Sequence, residues 1–260
     1  MGDVSGFGIA ALALVAMLGG AINAVAGGGT LLTFPTLYAI GLSPVAANVT
    51  NTVGLVPGYL GGIAGYRREL EGQAANVRRL VPVALVGALL GSTILLVTST
   101  KVFADIVPFL VAGAALLLLA QPRLQRRLRR THPETGAATG PEHRRLTMVC
   151  VFLAAVYGGY FGGVLGVILL AVLGITMTDH LQRLNALKSV LQFATNIVAV
   201  VVFALFGPVH WWLVLVMAPC TLLGGWLGTH GARRLHPDVL RRIVAAVGLV
   251  AAVLLWVRLH

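Results

Sequence analysis

The sequence predicts an all-α, polytopic transmembrane helical bundle of two homologous halves. Three observations carry that prediction: uncharged apolar runs too long for a soluble core, arginines gathered in short clusters, and a repeat that aligns at one fixed offset.

The apolar runs are the first of these. Hydrophobic residues make up 58% of the 260 and charged ones only 10%, with mean hydropathy +0.91. A soluble domain of this length needs far more polar surface to cover its core. No charge occurs from Phe7 to Tyr66, nor from Leu146 to Met177. About 20 apolar residues cross the hydrocarbon of a bilayer, so the first run has room for more than one crossing.

The charges come next. A formal net charge of +11 sits mainly in Arg67-Arg68, Arg78-Arg79, the stretch Arg123 to Arg145, and Arg233 to Arg242. An excess of Lys and Arg marks cytoplasmic loops, which assigns loops 67–79, 122–145 and 230–242 to the cytoplasm. No basic surface interleaved with aromatics lies outside the apolar runs, so the expected partner is a lipid bilayer and not nucleic acid. Cys150 and Cys220 lie within apolar segments and read as packing residues, with neither a disulfide framework nor a metal site. The N-terminus lacks the basic region of a cleaved signal peptide, so the first helix is expected to persist in the mature protein.

The repeat is the third observation. Shifted by 137 residues (166 − 29), the second half aligns on the first without a gap: Gly29 with Gly166, Asn48 with Asn185, Pro82 with Pro219, Gly87 with Gly224 and Gly91 with Gly228. The stretch from Gln121 to Arg145, rich in charge, Pro, Gly and Thr, reads as an exposed linker. The expected division is a first repeat over 1–121, a cytoplasmic basic linker over 122–145, and a second repeat over 146–260. Each half reads as a broken or re-entrant opening segment followed by three spans, near 45–66, 79–99 and 102–121, then near 182–207, 212–230 and 241–258. Gly27-Gly28-Gly29 and Pro35 break the first opening segment; the second, over 147–178, keeps only Gly166 of the triplet and is expected to break more weakly. If both segments enter and return, the three arginine-rich loops share one side. Each half then crosses an odd net number of times, and the two are inverted relative to one another, a recurring transporter plan.

Candidate binding residues follow from where polarity survives in apolar surroundings. Irregular backbone at membrane depth is tolerated where it is buried in protein or lines a watery cavity. The half-helix after Gly27, Gly28 and Gly29, starting at Thr30, would present N–H groups suited to an anion; tight helix packing is the other reading of the same glycines. After each break comes a polar cluster, Asn48, Thr50, Asn51 and Thr52 in one half, Asn185, Lys188 and Ser189 in the other. Lys188 lies about 10 Å into its span at 1.5 Å per residue. A Lys there faces a cavity or a partner, or else snorkels to the interface. No carboxylate stands at a matching depth, so a transported anion is the simplest counter-charge. Gln192 and Asn196 add neutral donors, and Arg183, nearer the surface, either binds or steers. The Gly-x-x-x-Gly pairs at 87–91 and 224–228 read as helix-packing sites, and His210-Trp211-Trp212 as an interfacial belt.

No zinc motif, phosphate-binding loop or nucleophile elbow occurs, so neither an enzyme nor a bound cofactor is expected. The eight Asp and Glu residues fall in loops or near segment ends, which leaves no buried carboxylate relay for a cation pump.

The stretch GAINAVAGGGTLLTFPTLYAIGL followed by SPVAANVTNTVG, and YGGYFGGVLGVILLAVLGI with RLNALKSVLQF, resemble the TauE/SafE sulfite exporter family of membrane permeases over nearly the whole chain. The resemblance implies a carrier in the bacterial inner membrane for sulfur oxyanions or organosulfonates. The residues themselves imply an anion and a broken-helix site, worked by alternating access. An anion channel, or an uptake permease for another small oxyanion or carboxylate, is the alternative; a non-transporting assembly protein is a further one. Substrate, direction, coupling and oligomeric state are not written in the sequence.

Overall fold

Hydrocarbon offers no water to backbone polar groups, so segments that cross it satisfy their N–H and C=O groups internally, as helices. The computed structural model describes residues 6–25, 27–65, 68–131, 141–231 and 237–259. Among them are ten α-helices, a short 3-10 turn at Arg68–Leu70, and no strand. The helices are α1 (Gly6–Val25), α2 (Thr30–Ala39), α3 (Pro44–Gly65), α4 (Ala74–Val97), α5 (Thr100–Thr131), α6 (Pro141–Tyr160), α7 (Leu165–Thr176), α8 (Leu181–Phe206), α9 (Trp211–Gly231) and α10 (Pro237–Leu259). Four stretches, Ala74–Val97, Thr100–Arg123, Leu181–Phe206 and Trp211–Gly228, are long and apolar enough to cross a membrane. Val97, Phe109, Leu205, Phe206, Leu215 and Val253 all point outward, an apolar surface suited to lipid and not to water.

The spans stand where the apolar runs lie, but several helices outrun them. α4 begins at Ala74 instead of 79, α5 continues to Thr131 instead of 121, and α6 and α10 open at Pro141 and Pro237. Arginine is a good helix former, so a charge ends the apolar run without ending the helix. Proline suits the first helical position, where its missing N–H costs nothing. Much of the expected linker is thus helical; residues 132–140 of it, and 232–236 of the last basic loop, lie outside the described residues.

The opening segment of the first half does turn back on itself. α1 stops before Gly27, whose φ of +80° suits glycine, and α2 returns along it. A side chain on Gly29 would collide with the Gly19 carbonyl, and one on Gly19 would lie 2.7 Å from the Thr33 methyl. The two short helices therefore run antiparallel at backbone contact.

Helix starts recur between the two halves of the chain. Pro44 and Leu181, Ala74 and Trp211, Thr100 and Pro237 open equivalent helices, each pair at the offset found by alignment. Packing crosses between them: α1 lies on α9 and α6 on α4, α3 on α9 and α8 on α4, while α3 meets α8 and α5 meets α10. Glycines make the closest of these contacts. Added side chains on Gly20 or Gly224 would strike the backbone of Thr221 or Met17, and on Gly228 would lie 2.6 Å from the Ala21 carbonyl, so α1 and α9 run parallel. Gly87 and Gly91 press in the same way on Phe152 and Val156, so α4 and α6 run parallel too. The equivalent helices α3 and α8 run antiparallel: Val49 touches Gly207, while Tyr59, further along α3, faces Gln192. Phe34 of α2 meets Phe161 edge-on at 5.7 Å and anchors the short helix beside the second break.

Candidate functional site

Two interrupted helices meet at the centre of the molecule. In the first half, the Gly29 N–H donates to the Asn23 side-chain carbonyl at 2.8 Å. Leu31 and Leu32 then donate to Gly28 and Gly29, closing the first turn of α2. No side chain caps α2 at Gly29, and the first-turn N–H groups that a helix leaves unpaired are here represented by Thr30, itself buried. The Thr33 hydroxyl sits between the Gly29 carbonyl, 3.1 Å away, and the Asn51 side-chain carbonyl. Asn51 thus ties α3 to the start of α2.

The second break differs from expectation: it is no weaker than the first. Gly162 and Val164 both have positive φ, +73° and +58°, and α7 starts at Leu165. Val164 occupies the position of Gly27 at the repeat offset and takes the same left-handed conformation. For a β-branched residue that is an outlier, and the surrounding core, in which Val164 is buried, holds it. The backbone feature is retained although its glycine is not.

The breaks touch. A Cβ on Gly27 would lie 3.5 Å from the Gly166 Cα, and one on Gly166 only 2.7 Å from the Gln192 side-chain oxygen. Tyr59, buried on α3, faces both Gln192 and Asn23 with its hydroxyl. Asn23, Gly27–Gly29, Thr30, Asn51, Tyr59, Gly166 and Gln192 therefore form one contiguous polar island in an apolar bundle. The Asn23 amide nitrogen is buried there beside the Tyr59 hydroxyl.

Lys188 stands one turn before Gln192 on α8, about 6 Å along the axis. It is only 7% exposed, so its side chain lies among the helices and not on the outer surface of the bundle. It has no hydrogen bond or carboxylate partner among the described residues. Arg241, buried near the start of α10, lies close enough for its charge to act on Lys188. Asn196 donates to the Gln192 carbonyl and Ser189 to the Asn185 carbonyl, both at 2.8 Å within α8.

Other expected site residues are engaged elsewhere. Asn48 donates through its side-chain amide to the Tyr160 carbonyl at 3.0 Å, pinning α3 to the end of α6, and its side-chain oxygen is buried without a partner. The Thr50 hydroxyl accepts the His210 N–H at 3.1 Å. Arg183 pairs with Asp179 at 2.9 Å and donates to the Glu71 carbonyl, while the Gln73 amide donates to the Arg183 carbonyl. These contacts clamp the α3–α4 turn to the start of α8.

The family model described as "Sulfite exporter TauE/SafE" matches residues 12–255. The chain belongs to the TauE/SafE family. This TauE/SafE member is a multi-pass membrane transporter and not an enzyme. It is similar to the "Probable membrane transporter protein YfcA" of Escherichia coli K12, 27% identical over 91% of this chain and 86% of that one. It is also similar to the "Probable membrane transporter protein ORF9" of a Sinorhizobium species, 27% identical over 97% and 94%. A "Probable membrane transporter protein" of Haemophilus influenzae is 26% identical over 89% of each chain. No solved structure matches.

Sequence reasoning missed Asn23, Tyr59, Val164 and Arg241 in this TauE/SafE chain. Asn23 carried a signal, being the one side-chain amide in the run from Phe7 to Ala47. Arg241 did not, because it belongs to a cluster of loop arginines, and Val164 looks like any other valine.

Proposed function

We propose that the protein is a secondary transporter that exports small anions, namely sulfite, organosulfonates or related sulfur-containing anions, across the bacterial inner membrane. The observation that carries this reading is Lys188: a buried ammonium with no carboxylate among the described residues, one turn from an island that holds the start of α2 and the buried Thr30. A central cation costs about 2.5–3.5 kcal/mol to insert, and a resident anion offsets that cost. At the start of α2 the Thr30 N–H would meet the anion, with Asn23, Asn51 and Gln192 orienting it. Arg241 would add a second full charge. Asn48, Thr50, Asn185 and Ser189 would support this site from the flanking turns, and Arg183 would act at its entrance.

Antiparallel packing of the equivalent helices α3 and α8 supports an inverted repeat, with 1–121 and 146–260 as its units and 122–145 as a cytoplasmic linker. On that plan loops 67–79 and 230–242 also face the cytoplasm. Alternating access then amounts to one repeat rocking against the other around a fixed site. Sulfur chemistry in this reading comes from the family; the anion and its site come from the residues.

Proteoliposomes test it. Sulfite or sulfoacetate flux should saturate and show counterflow, and Lys188→Ala should abolish it while the helical signal and expression persist. Flux without saturation would make the protein a channel. Unchanged flux in Lys188→Ala would remove the site from this part of the molecule.

A further inference from the structure

We propose that a groove between α1, α2 and the last turns of α10 binds an anionic phospholipid, with one acyl chain inside and the headgroup phosphate on Arg258. The cavity measures about 470 Å³. Leu32, Pro35, Ala251 and Leu254 are typical of its walls, and Arg258 is the one charged residue among those that line it.

The position of that charge decides what fits. Gly8 in the first turns of α1, Ile40 just beyond α2 and Arg258 in the last turn of α10 all line the groove, so its mouth opens at one end of the bundle. From Arg258 to Val247 the lining descends three turns of α10, about 16 Å at 1.5 Å per residue. An occupant must therefore be apolar along that depth, negative at the mouth, and resident in the bilayer. A small transported anion meets only the second of these conditions, and below Arg258 the lining is apolar apart from Tyr38 and Thr36, whose hydroxyl already donates to the Leu32 carbonyl. A phospholipid meets all three conditions, and a net negative headgroup adds attraction to Arg258 that a zwitterionic one largely lacks.

The groove also has a mechanical address. Its inner wall is the outer side of α2, the helix whose opposite end forms the polar island. A lipid seated there braces α2 from behind. The inference does not depend on which solute is carried, so its test needs no transport assay.

Native mass spectrometry of the full chain, with phosphatidylglycerol and phosphatidylcholine of identical acyl chains, reads the proposal directly. Wild type should retain phosphatidylglycerol in preference, by about fivefold for one interfacial arginine. Arg258→Gln should bring the two lipids level. Val250→Trp, at an outward-facing residue that lines the groove, should lower retention of both by filling the space. Equal retention by wild type, or a preference that survives Arg258→Gln, overturns the assignment. So does Val250→Trp protein that remains folded by circular dichroism and binds lipid as before.

Discussion

Val164 adopts the left-handed backbone of Gly27, its counterpart 137 residues earlier in the repeat, with φ of +58° against +80°. Only glycine takes that region without strain, so the second half keeps a helix break by tertiary force where the first half keeps it by residue choice.

That strain is measurable. A left-handed conformation costs a non-glycine residue roughly 1–2 kcal/mol, whereas burial of a valine contributes about 1.5–3 kcal/mol. Val164→Gly loses the second but recovers the first, and should destabilise by about 1 kcal/mol or less in chemical unfolding of the solubilised protein. A loss equal to the full burial value would mean that Val164 is not strained.

Close helix contacts give a second contrast. A methyl on Gly91 would collide with the Val156 carbonyl, and backbone cannot yield as a side-chain tip can; at Gly113 nothing lies within 4 Å. Gly91→Ala should cost about 1–3 kcal/mol by overpacking. Gly113→Ala should be neutral or stabilise by up to about 1 kcal/mol through helix propensity. Melting temperatures of the two variants, measured side by side, check the pair.

Lys188 and Arg241 act on one ligand in the proposed site, so their removal should not be additive. Each single change to Gln should weaken anion-induced thermal stabilisation at least about tenfold in apparent affinity, the equivalent of one charged hydrogen bond. The double variant should lose less than the product of the two. Strict additivity would place the residues at separate sites.

The clamp at Arg183 and Gln73 makes a prediction about access. Arg183→Ala removes the Asp179 pair and the bond to the Glu71 carbonyl. In a background with Cys150 and Cys220 replaced, Ser189→Cys should then react faster with a membrane-impermeant thiol reagent. An unaltered rate would show that this junction does not control entry.

Much of this architecture was legible before any coordinates. Long apolar runs report hydrocarbon crossings directly, and the shared Asn and Pro positions report the repeat, because both are dictated by the solvent and the fold. Helix ends were less legible: Arg123 ends the apolar run, yet α5 continues to Thr131, since propensity and hydrophobicity are separate quantities. The island was half visible. Gly27–Gly29, Asn51 and Gln192 announce themselves as breakers or amides in apolar context, and they do converge. Tyr59 and Arg241 belong to it only through tertiary placement. Asn48 and Thr50 show the converse, for the Asn48 amide donates to the Tyr160 carbonyl and the Thr50 hydroxyl accepts from the His210 N–H.

The packing of α1 on α9 sets a schedule for assembly. Gly20 finds its mate at Thr221, about 200 residues later, a wait of roughly 10–40 s at common translation rates. Through that interval the opening helix has only α2 and α3 of its final neighbours against it. Neither repeat is then a free-standing body, and a chain cut at residue 121 should yield two fragments that hold together only when made in the same cell.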